Sequence, residues 1–443
     1  DGSQNLDIVF DNINVVGGTV MNSTNADSRL TVSGTTNVSA VKSYTYNGST
    51  YETKSTEHST ILVSHFVVED GANYTQTDAD NSNKYSIRIK SNGTESFEVG
   101  DHATVDISGS TDTNIWASDN VIQTFEIGDA SKVDLSGANY NIYSWSNKAQ
   151  SLTIGDNSTV NMTISNNTDG ANLEFVAGNT TTDIKVGASK LTMTAAGKSD
   201  NIHIQSGQKL TQTITFGKGS DVSLTADQGS NIYTVNSGKG AATITFSGDA
   251  NLVKTGNTSV TRGNITNTAG TEYVSQQDLT VNFTEGSSTK MTAGSGAGNI
   301  VSHTGHTPEY TTTINIDDPK IVSLSTDTSG DTYSKAYVTN GSLPRHGAYV
   351  VNVTDSNISV TSNDVTTVSD QISSYSTTID NSKVSVSSDI TMDNVSSDSS
   401  VVNNNTLAIN AAKTSNVTYQ GDSQTTKYDI AYNNVTVEAG KSV

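Results

Sequence analysis

The chain contains the segment Ser96-Phe-Glu-Val-Gly-Asp-His-Ala-Thr-Val-Asp-Ile107, and its pattern returns as Thr124-Phe-Glu-Ile-Gly-Asp-Ala-Ser-Lys-Val-Asp-Leu135 and Ser151-Leu-Thr-Ile-Gly-Asp-Asn-Ser-Thr-Val-Asn-Met162. In each copy, two strands of alternating apolar and polar residues flank a Gly-Asp corner. A unit this short cannot bury its own apolar face, so successive units must stack on one another. The repeat therefore predicts a β-solenoid.

Equivalent corners recur along the chain at intervals of 26 to 37 residues. They fall at Gly100, Gly128, Gly155, Gly187, Gly217, Ser247, Thr284, Asp317, Thr354 and Asp380. A three-sided coil tolerates such variation because extra residues can bulge at one corner without disturbing the stacked strands. We expect Gly or Asp to supply the tight turn, through positive φ or an Asx-type hydrogen bond. The pattern predicts a single elongated all-β domain.

The regularity of the repeat divides the chain into three predicted regions. Residues 1–59 are expected to form an N-terminal cap and the first rungs, residues 60–400 the solenoid array, and residues 401–443 the final rungs and a C-terminal cap. Caps are expected because an exposed edge strand invites pairing with another chain.

The composition restricts the classes of function. The chain carries a net charge of −21, has 33% hydrophobic residues and contains no cysteine. Nucleic-acid binding is not expected, because neutralising phosphates requires a basic surface. Membrane insertion is not expected either, because no apolar segment is long enough to span a bilayer. The absence of cysteine fits an exported bacterial protein.

A second repeated position follows each corner and consists of an Asn-Ile type of pair. The Ile or Leu must face the core, so the next residue is expected to face water. These next residues are Arg88, Trp116, Tyr143, Glu174, His203 and Tyr233. Because stacked coils lie about 4.8 Å apart, they are predicted to form one outward ladder. Lys90, Trp145 and Gln205, two places further along, are expected beside it.

The aromatic and charged character of this ladder indicates a glycan-binding face. Aromatic rings stack on the CH surfaces of sugars, and charged neighbours bind hydroxyl or carboxylate groups. The alternative is that the aromatic residues only stabilise the sheet through cross-strand contacts, which contribute about 0.2 to 1 kcal/mol per pair. The ligand-binding prediction covers Arg88, Lys90, Trp116, Tyr143, Trp145, Glu174, His203 and Tyr233.

A polysaccharide lyase is the enzymatic alternative for a solenoid. It needs carboxylates that hold Ca²⁺ and an Arg or Lys that acts as base on a uronate. The candidates are Asp317, Asp318 and Arg345, the last within Leu343-Pro-Arg-His-Gly347. The arginines of the chain are Arg29, Arg88, Arg262 and Arg345, too few for an evident catalytic cluster. We therefore predict no catalytic residue, and convergence of the three candidates in one groove would favour the lyase.

Metal binding has one weak sequence signal. His303, His306 and Glu309 have the look of a ligand set, but this spacing in a loop is weakly specific and also fits solvated histidines. The Gly-rich nonapeptide of calcium β-rolls is absent from the sequence. The sequence therefore predicts no metal and no cofactor.

The units at residues 125–135 and 153–162 resemble the coils of pectate-lyase-like adhesive domains in large surface proteins of lactobacilli, in particular the binding region of serine-rich repeat adhesins. The resemblance covers roughly residues 60–400. It implies a right-handed parallel β-helix, export by an accessory secretion system, and attachment to the bacterial cell wall through regions outside this sequence. It also implies binding to host glycans or to plant-type polysaccharides. No ligand residue of that family can be placed on this chain by motif.

These observations predict a non-catalytic adhesin domain on the bacterial cell surface, in the form of a monomer. Its expected partners are glycans of host epithelium or mucus and polysaccharides such as pectin. The passenger domain of a Gram-negative autotransporter would share the fold, the lack of cysteine and the extracellular role. The sequence leaves that alternative open.

Overall fold

The structure is a computed structural model. It describes residues 5–23, 25, 27–52, 59–78, 83–166, 169–178, 180–207, 210–236, 238–256, 262–267, 277–294, 298–302, 311–326, 348–354, 357–361, 366–369, 374–380, 383–387, 390–393, 404–409, 416–420 and 434–437. Two compact units make up the chain, unit 1 with residues 1–205 and unit 2 with residues 206–443.

All regular elements among these residues are β-strands. Unit 1 begins with β1 (Asp7–Asp11), β2 (Asn14–Gly17), β3 (Met21–Asn22), β4 (Arg29–Ser33), β5 (Thr35–Ala40), β6 (Ser43–Tyr46), β7 (Ser49–Glu52), β8 (Ser59–Val63), β9 (His65–Val68), β10 (Asn73–Thr77), β11 (Tyr85–Ile89) and β12 (Thr94–Val99). It continues with β13 (Thr104–Ser108), β14 (Thr113–Ala117), β15 (Ile122–Ile127), β16 (Lys132–Gly137), β17 (Tyr140–Ser146), β18 (Gln150–Ile154), β19 (Thr159–Ile164), β20 (Ala171–Ala177), β21 (Thr181–Val186), β22 (Lys190–Ala195) and β23 (Asp200–Ser206), whose last residue belongs to unit 2.

Unit 2 contains the remaining strands. They are β24 (Thr211–Phe216), β25 (Asp221–Ala226), β26 (Ile232–Asn236), β27 (Gly240–Phe246), β28 (Asp249–Lys254), β29 (Gly263–Asn267), β30 (Gln277–Phe283), β31 (Ser288–Ala293), β32 (Gly298–Ser302), β33 (Thr311–Asp317), β34 (Ile321–Thr326) and β35 (Ala348–Thr354). The last ones are β36 (Asn357–Thr361), β37 (Thr366–Ser369), β38 (Ser374–Asp380), β39 (Lys383–Ser387), β40 (Ile390–Asp393), β41 (Asn404–Ile409), β42 (Asn416–Gln420) and β43 (Asn434–Val437).

Three parallel sheets form the sides of unit 1. The first has the order β1-β4-β9-β12-β15-β18-β21, the second β2-β5-β10-β13-β16-β19-β22, and the third β3-β8-β11-β14-β17-β20-β23. The chain visits the three sheets in turn, so each set of three strands is one coil. The predicted β-solenoid is confirmed, whereas its handedness and the predicted boundaries at residues 59 and 400 stay predictions.

Unit 2 repeats this arrangement. Its sheets have the orders β24-β27-β30-β33-β35-β38-β41-β43, β25-β28-β31-β34-β36-β39-β42 and β26-β29-β32, and β37 pairs with β40. Neighbouring strands pair in parallel, with Phe216 opposite Phe246 and Phe246 opposite Phe283. The three rings stack in the core with centroids 5.2 and 5.4 Å apart.

The register of the strands follows the sequence repeat. In the first sheet of unit 1, Phe97 lies opposite Phe125 and Phe125 opposite Leu152. All three side chains are buried, whereas the residues that follow them, Glu98, Glu126 and Thr153, are not. Equivalent apolar positions therefore stack directly on one another, and this stacking forms the continuous core that the repeat requires.

The glycine of the Gly-Asp corner does not have the positive φ that the sequence analysis predicted. Positive φ occurs two residues later, at His102 (58°), Ala130 (55°) and Asn157 (57°). Glycine is required at the corner by close approach between coils, since a Cβ on Gly128 would lie 2.5 Å from Asp101 Oδ1 and 2.8 Å from the backbone nitrogen of Asp101. The expectation was wrong because it considered the turn alone and not the adjacent coil.

A hairpin projects between β5 and β8 in unit 1. Strands β6 and β7 are antiparallel and joined by Asn47 and Gly48, both with positive φ, as the tight turn of a two-residue hairpin requires. Tyr44 and Tyr51 lie opposite each other with ring centroids 5.4 Å apart. Tyr46 is 63% exposed on the same face. Strands β6 and β7 form a two-stranded sheet of their own.

Candidate functional site

The third sheet of unit 1 carries most of the predicted ladder. Arg88 on β11 lies opposite Trp116 on β14, Trp116 opposite Tyr143 on β17, and Tyr143 opposite Glu174 on β20. His203 on β23 follows, because its Nδ1 lies 2.9 Å from Glu174 Oε2. The structure thus brings together five of the predicted residues on the outer face of one sheet.

The structure adds two tyrosines to this face, Tyr85 and Tyr140. Each stands three residues before a ladder residue, Arg88 and Tyr143 respectively. The two residues between them are buried, so the backbone turns a corner there and strict alternation fails. Sequence reasoning missed the two tyrosines because it applied alternation through this corner. The signal was present as a Tyr preceding a Ser-Ile or Asn-Ile pair.

Four rings form a continuous cluster that we call the aromatic strip: Tyr85, Trp116, Tyr140 and Tyr143. The centroids of Tyr85 and Trp116 are 3.7 Å apart, those of Trp116 and Tyr143 5.6 Å, and those of Tyr140 and Tyr143 5.3 Å. All three contacts are edge-to-face, with interplanar angles from 71° to 77°. Edge-to-face packing is favourable at the centroid distances of the Trp116–Tyr143 and Tyr140–Tyr143 pairs, and Tyr85, at 7% exposure, is buried against Trp116.

The ladder residues are more buried than the sequence predicted, because side chains of neighbouring coils cover them. Trp116 and Tyr143 are half-buried, while Glu174 is only 4% exposed. Trp116 Nε1 is buried and has no hydrogen-bond partner among the described residues. The expectation that these positions face water was therefore wrong for Glu174 and incomplete for the aromatic residues. Side chains on adjacent coils are close enough to cover one another.

The second row of predicted residues is also on this sheet. Trp145 is 39% exposed and lies opposite Val176 on the next coil. Lys90 is half-buried, and its backbone carbonyl accepts a hydrogen bond from Ser64 Oγ at 3.0 Å. Gln205 Nε2 donates to Glu174 Oε1 at 2.9 Å. Trp145 is therefore the most accessible ring of the predicted ligand-binding set next to the aromatic strip.

Arg88 covers one end of the aromatic strip. The central carbon of its guanidinium lies 5.9 Å from the ring centroid of Tyr85 and 5.6 Å from that of Trp116. Both distances are within the range of a cation–π interaction. The positive charge of Arg88 is thus held against two of the four rings.

Carboxylates also act on the strip: Asp112 acts on the rings at both ends, and Glu174 acts on Tyr140 and Tyr143. Burial raises the pKa of Tyr140, and the charges of Glu174, Asp112 and Asp169 raise it further. Burial also raises the pKa of Tyr143, again with help from Glu174 and Asp112. For Tyr85, burial and then Asp112 raise the pKa to about 12, although Arg88 acts in the opposite direction. The site is therefore aromatic with a negative rim.

Tyr233 belongs to unit 2, whereas the four residues of the aromatic strip belong to unit 1. It lies opposite Thr266 and is 6% exposed, which contradicts the expectation that it faces water. The guanidinium carbon of Arg262 is 4.1 Å from its ring centroid. The side chain of Tyr233 is therefore covered within its own unit.

The structure describes only two of the residues that were considered for lyase or metal chemistry, Asp317 and Asp318. Asp317 ends β33, and Asp318 has a φ of 45° and accepts the Gly286 N–H at its carbonyl. Arg345, His303, His306 and Glu309 lie outside the described residues, so the predicted convergence of Asp317, Asp318 and Arg345 stays untested. Within the described ranges, no group of three or more His, Asp or Glu side chains is arranged to hold a metal ion.

A groove of about 910 Å³ runs along the first sheet of unit 1. Its walls include Glu98, Glu126, Asp101 and Asp129, with Arg29 at one end. The aspartates already serve the fold, because Asp101 Oδ1 accepts the backbone N–H of Asp129 at 2.7 Å. Arg29 lies 3.6 Å from Glu98 in an exposed ion pair. We therefore assign the groove no ligand and place the candidate site on the aromatic strip.

Comparison with known proteins identifies no relative of this chain. No family model matches it, and no curated protein or solved structure shows significant similarity. Among the residues that the structure describes, none belongs to a helix that could cross a membrane. Because no comparison yields a match, the resemblance to lactobacillus adhesins stays a hypothesis based on the repeat units.

Proposed function

We propose that this protein is a non-catalytic adhesin domain of a bacterial cell surface, which binds glycans of host tissue or polysaccharides through the aromatic strip. The observation that carries this proposal is the run of four rings in contact across neighbouring coils of one sheet. Sugars are recognised by aromatic faces together with a few polar groups, and both are present here.

The arrangement of the strip fits a linear glycan. Its rings occupy successive coils about 4.8 Å apart, and a sugar chain can therefore cross several coils in one binding event. Trp145, at 39% exposure, extends the surface beside Tyr143.

The scaffold also favours adhesion. Parallel coils stacked by repetition give a stiff support, and stability comes from contacts between neighbouring repeats. Side chains on such a support are held by strands on both sides, so little order has to be gained when a ligand binds. A preorganised surface of this kind suits repeated low-affinity contacts with a glycan layer.

The test is binding of the purified protein to an array of host glycans and plant polysaccharides, compared among variants. Trp145→Ala and Tyr143→Ala are expected to weaken binding to the recognised glycan at least about tenfold, because ring contacts dominate such surfaces. Tyr46→Ala is the matched control, since it removes an exposed ring from the hairpin and is expected to leave binding unchanged.

Folding and catalysis are controlled separately. Circular dichroism should give the same strand signal for every variant, and Tyr143→Leu retains an apolar side chain if Tyr143→Ala is unstable. Unchanged binding by folded Tyr143→Ala and Trp145→Ala would refute the role of the strip. Release of unsaturated uronate from any polysaccharide would refute the non-catalytic proposal and favour a lyase.

A further inference from the structure

The two ends of the aromatic strip differ in charge. At the Tyr85 and Trp116 end, the guanidinium of Arg88 lies over both rings. At the Tyr140 and Tyr143 end, no arginine or lysine of the described residues lies over either ring. The second end therefore presents aromatic rings over which no described residue places a cation.

Carboxylates flank the Tyr140 and Tyr143 end from both neighbouring coils. On one side, Asp112 accepts the backbone N–H of Tyr140 at its carbonyl at 3.0 Å, and its carboxylate accepts a hydrogen bond from Asn139 Nδ2 at 2.8 Å. On the other side, Glu174 lies opposite Tyr143 in the strand register. Asp169 precedes β20, which pairs with β17. Negative charge thus borders the two rings on both sides.

The charge of these carboxylates is only partly balanced. His203 Nδ1 lies 2.9 Å from Glu174 Oε2 and 3.7 Å from Asp200 Oδ2, so a protonated His203 is shared between two carboxylates. Gln205 gives Glu174 a neutral hydrogen bond. The side chain of Asp112 bonds to the amide of Asn139, which is also neutral. Burial is the largest cause of the raised pKa values of Tyr140 and Tyr143, and the charges of Glu174 and Asp112 raise them further.

We infer that the Tyr140 and Tyr143 end binds an ammonium group, so that the preferred ligand is a glycan carrying unsubstituted amino sugars. This inference rests on the proposed glycan-binding function and specifies its ligand class. The ammonium would take the place over these rings that the Arg88 guanidinium takes over Tyr85 and Trp116. Aromatic faces attract cations, and adjacent carboxylates strengthen that attraction.

The same arrangement disfavours acidic sugars. A uronate or a sialic acid would bring its carboxylate toward Asp112, Asp169 and Glu174, and the protein as a whole has a charge of −21. An N-acetylated sugar avoids this repulsion but offers no cation to the rings. The expected order of affinity is cationic above neutral above anionic glycans.

The test compares three oligosaccharides of equal length by calorimetry or biolayer interferometry. They are a glucosamine oligomer, its fully N-acetylated form and a galacturonate oligomer, measured in low salt at a pH that keeps the amines protonated. Asp112→Asn retains an oxygen that can accept from Asn139 but removes the charge. It should reduce the affinity ratio of cationic to neutral oligomer by roughly threefold to fivefold. Raising the salt concentration should reduce the same ratio.

A matched control is Asp106→Asn, which removes one negative charge from an exposed position on β13 in the second sheet. It should leave the ratio unchanged. Equal binding of all three oligomers, or strongest binding of the galacturonate, would overturn the inference while glycan binding itself stands. Failure to bind these oligomers and every glycan of the array would instead refute the proposed function.

Discussion

The carboxylate of Asp101 joins two coils, since its Oδ1 accepts the backbone N–H of Asp129 at 2.7 Å. The same bond recurs from Asp129 to the N–H of Asp156 and from Asp156 to the N–H of Ala188, each at 2.7 Å. The Gly-Asp motif is therefore a connection between coils. Its glycine leaves room for the previous aspartate, and its aspartate holds the next coil.

The corner holds Ala130 in a left-handed backbone conformation that is unfavourable for alanine. Its φ is 55°, whereas Gly71 and Asn157 occupy the equivalent positions of other coils. Left-handed backbone costs a residue with a Cβ roughly 1 kcal/mol, and glycine and asparagine adopt it more easily. We expect Ala130→Gly and Ala130→Asn to raise the free energy of unfolding by about 0.5 to 1 kcal/mol. Urea denaturation measures the change.

The opposite substitution at the preceding glycine serves as the contrast. Gly128→Ala should destabilise the protein, because the new Cβ would meet both the carboxylate and the backbone nitrogen of Asp101. A stabilised Gly128→Ala variant, or an Ala130→Gly variant less stable than the wild type, would show that this account of the corner is wrong.

Glu95 gives unit 1 a pH-dependent stability. Its side chain is 1% exposed, and burial, together with the charge of Asp119, raises its pKa to about 8. Between the ordinary glutamate pKa near 4.3 and about 8, the folded chain keeps a proton that the unfolded chain releases. The stabilisation is complete below this window and falls as pH rises, by up to about 1.4 kcal/mol per pH unit.

Denaturation of wild type and Glu95→Gln across this pH range tests the assignment. The variant should lose most of the decrease in stability with rising pH. Some decrease remains because burial also raises the pKa of Asp78. Glu98→Gln, on the same strand but at an outward position, is the control and should keep the wild-type slope. Equal slopes for wild type and Glu95→Gln would exclude Glu95 as the source.

Asn141 belongs to a buried column of amides. Its Oδ1 accepts from Asn114 Nδ2 at 2.7 Å, and its Nδ2 donates to Asn172 Oδ1 at 2.6 Å and to the Thr163 carbonyl at 3.0 Å. Asn141→Ala leaves buried polar groups without partners and should cost about 2 to 4 kcal/mol.

Asn161→Ala on the neighbouring strand β19 is the comparison for this variant. Asn161 is partly exposed and donates to Asp134 Oδ1 at 2.7 Å. Its loss should cost about 0.5 kcal/mol or less, because water can replace the bond. Thermal unfolding measures the stability that each variant loses. An equal loss for Asn141→Ala and Asn161→Ala would contradict the role of the column.

Phe246 anchors the core of unit 2. Its ring is fully buried between Phe216 and Phe283, with centroids 5.2 and 5.4 Å away. Phe246→Ala should lower the free energy of unfolding by about 3 to 5 kcal/mol, because it opens a cavity. Phe246→Leu fills most of the space and should lower it by about 1.5 kcal/mol or less. A smaller loss for alanine than for leucine would contradict this packing.

The fold could be derived from the sequence to a large extent. The alternation around Phe97, Phe125 and Leu152 indicated both the strands and the residues that face the core. The Asn-Ile pairs indicated which residues of successive coils lie opposite one another. These features are local and periodic, so they can be recognised without coordinates.

The candidate site could be derived only in part. The sequence pointed to Trp116 and Tyr143 but not to Tyr85 and Tyr140, because the corner places two successive residues inside. It also placed Glu174 in water, whereas the adjacent coil covers it. Burial and ring contacts of this kind depend on residues of different coils.

The sequence by itself determined that this chain is a parallel β-solenoid, because its apolar alternation and corner spacing permit stable burial only by stacking. The tertiary structure decided which aromatic rings touch, where the cation of Arg88 lies, and which carboxylates border Tyr140 and Tyr143. The physical reason is that these properties arise from distances between side chains of adjacent coils. A repeat pattern specifies the order of those side chains but not their distances.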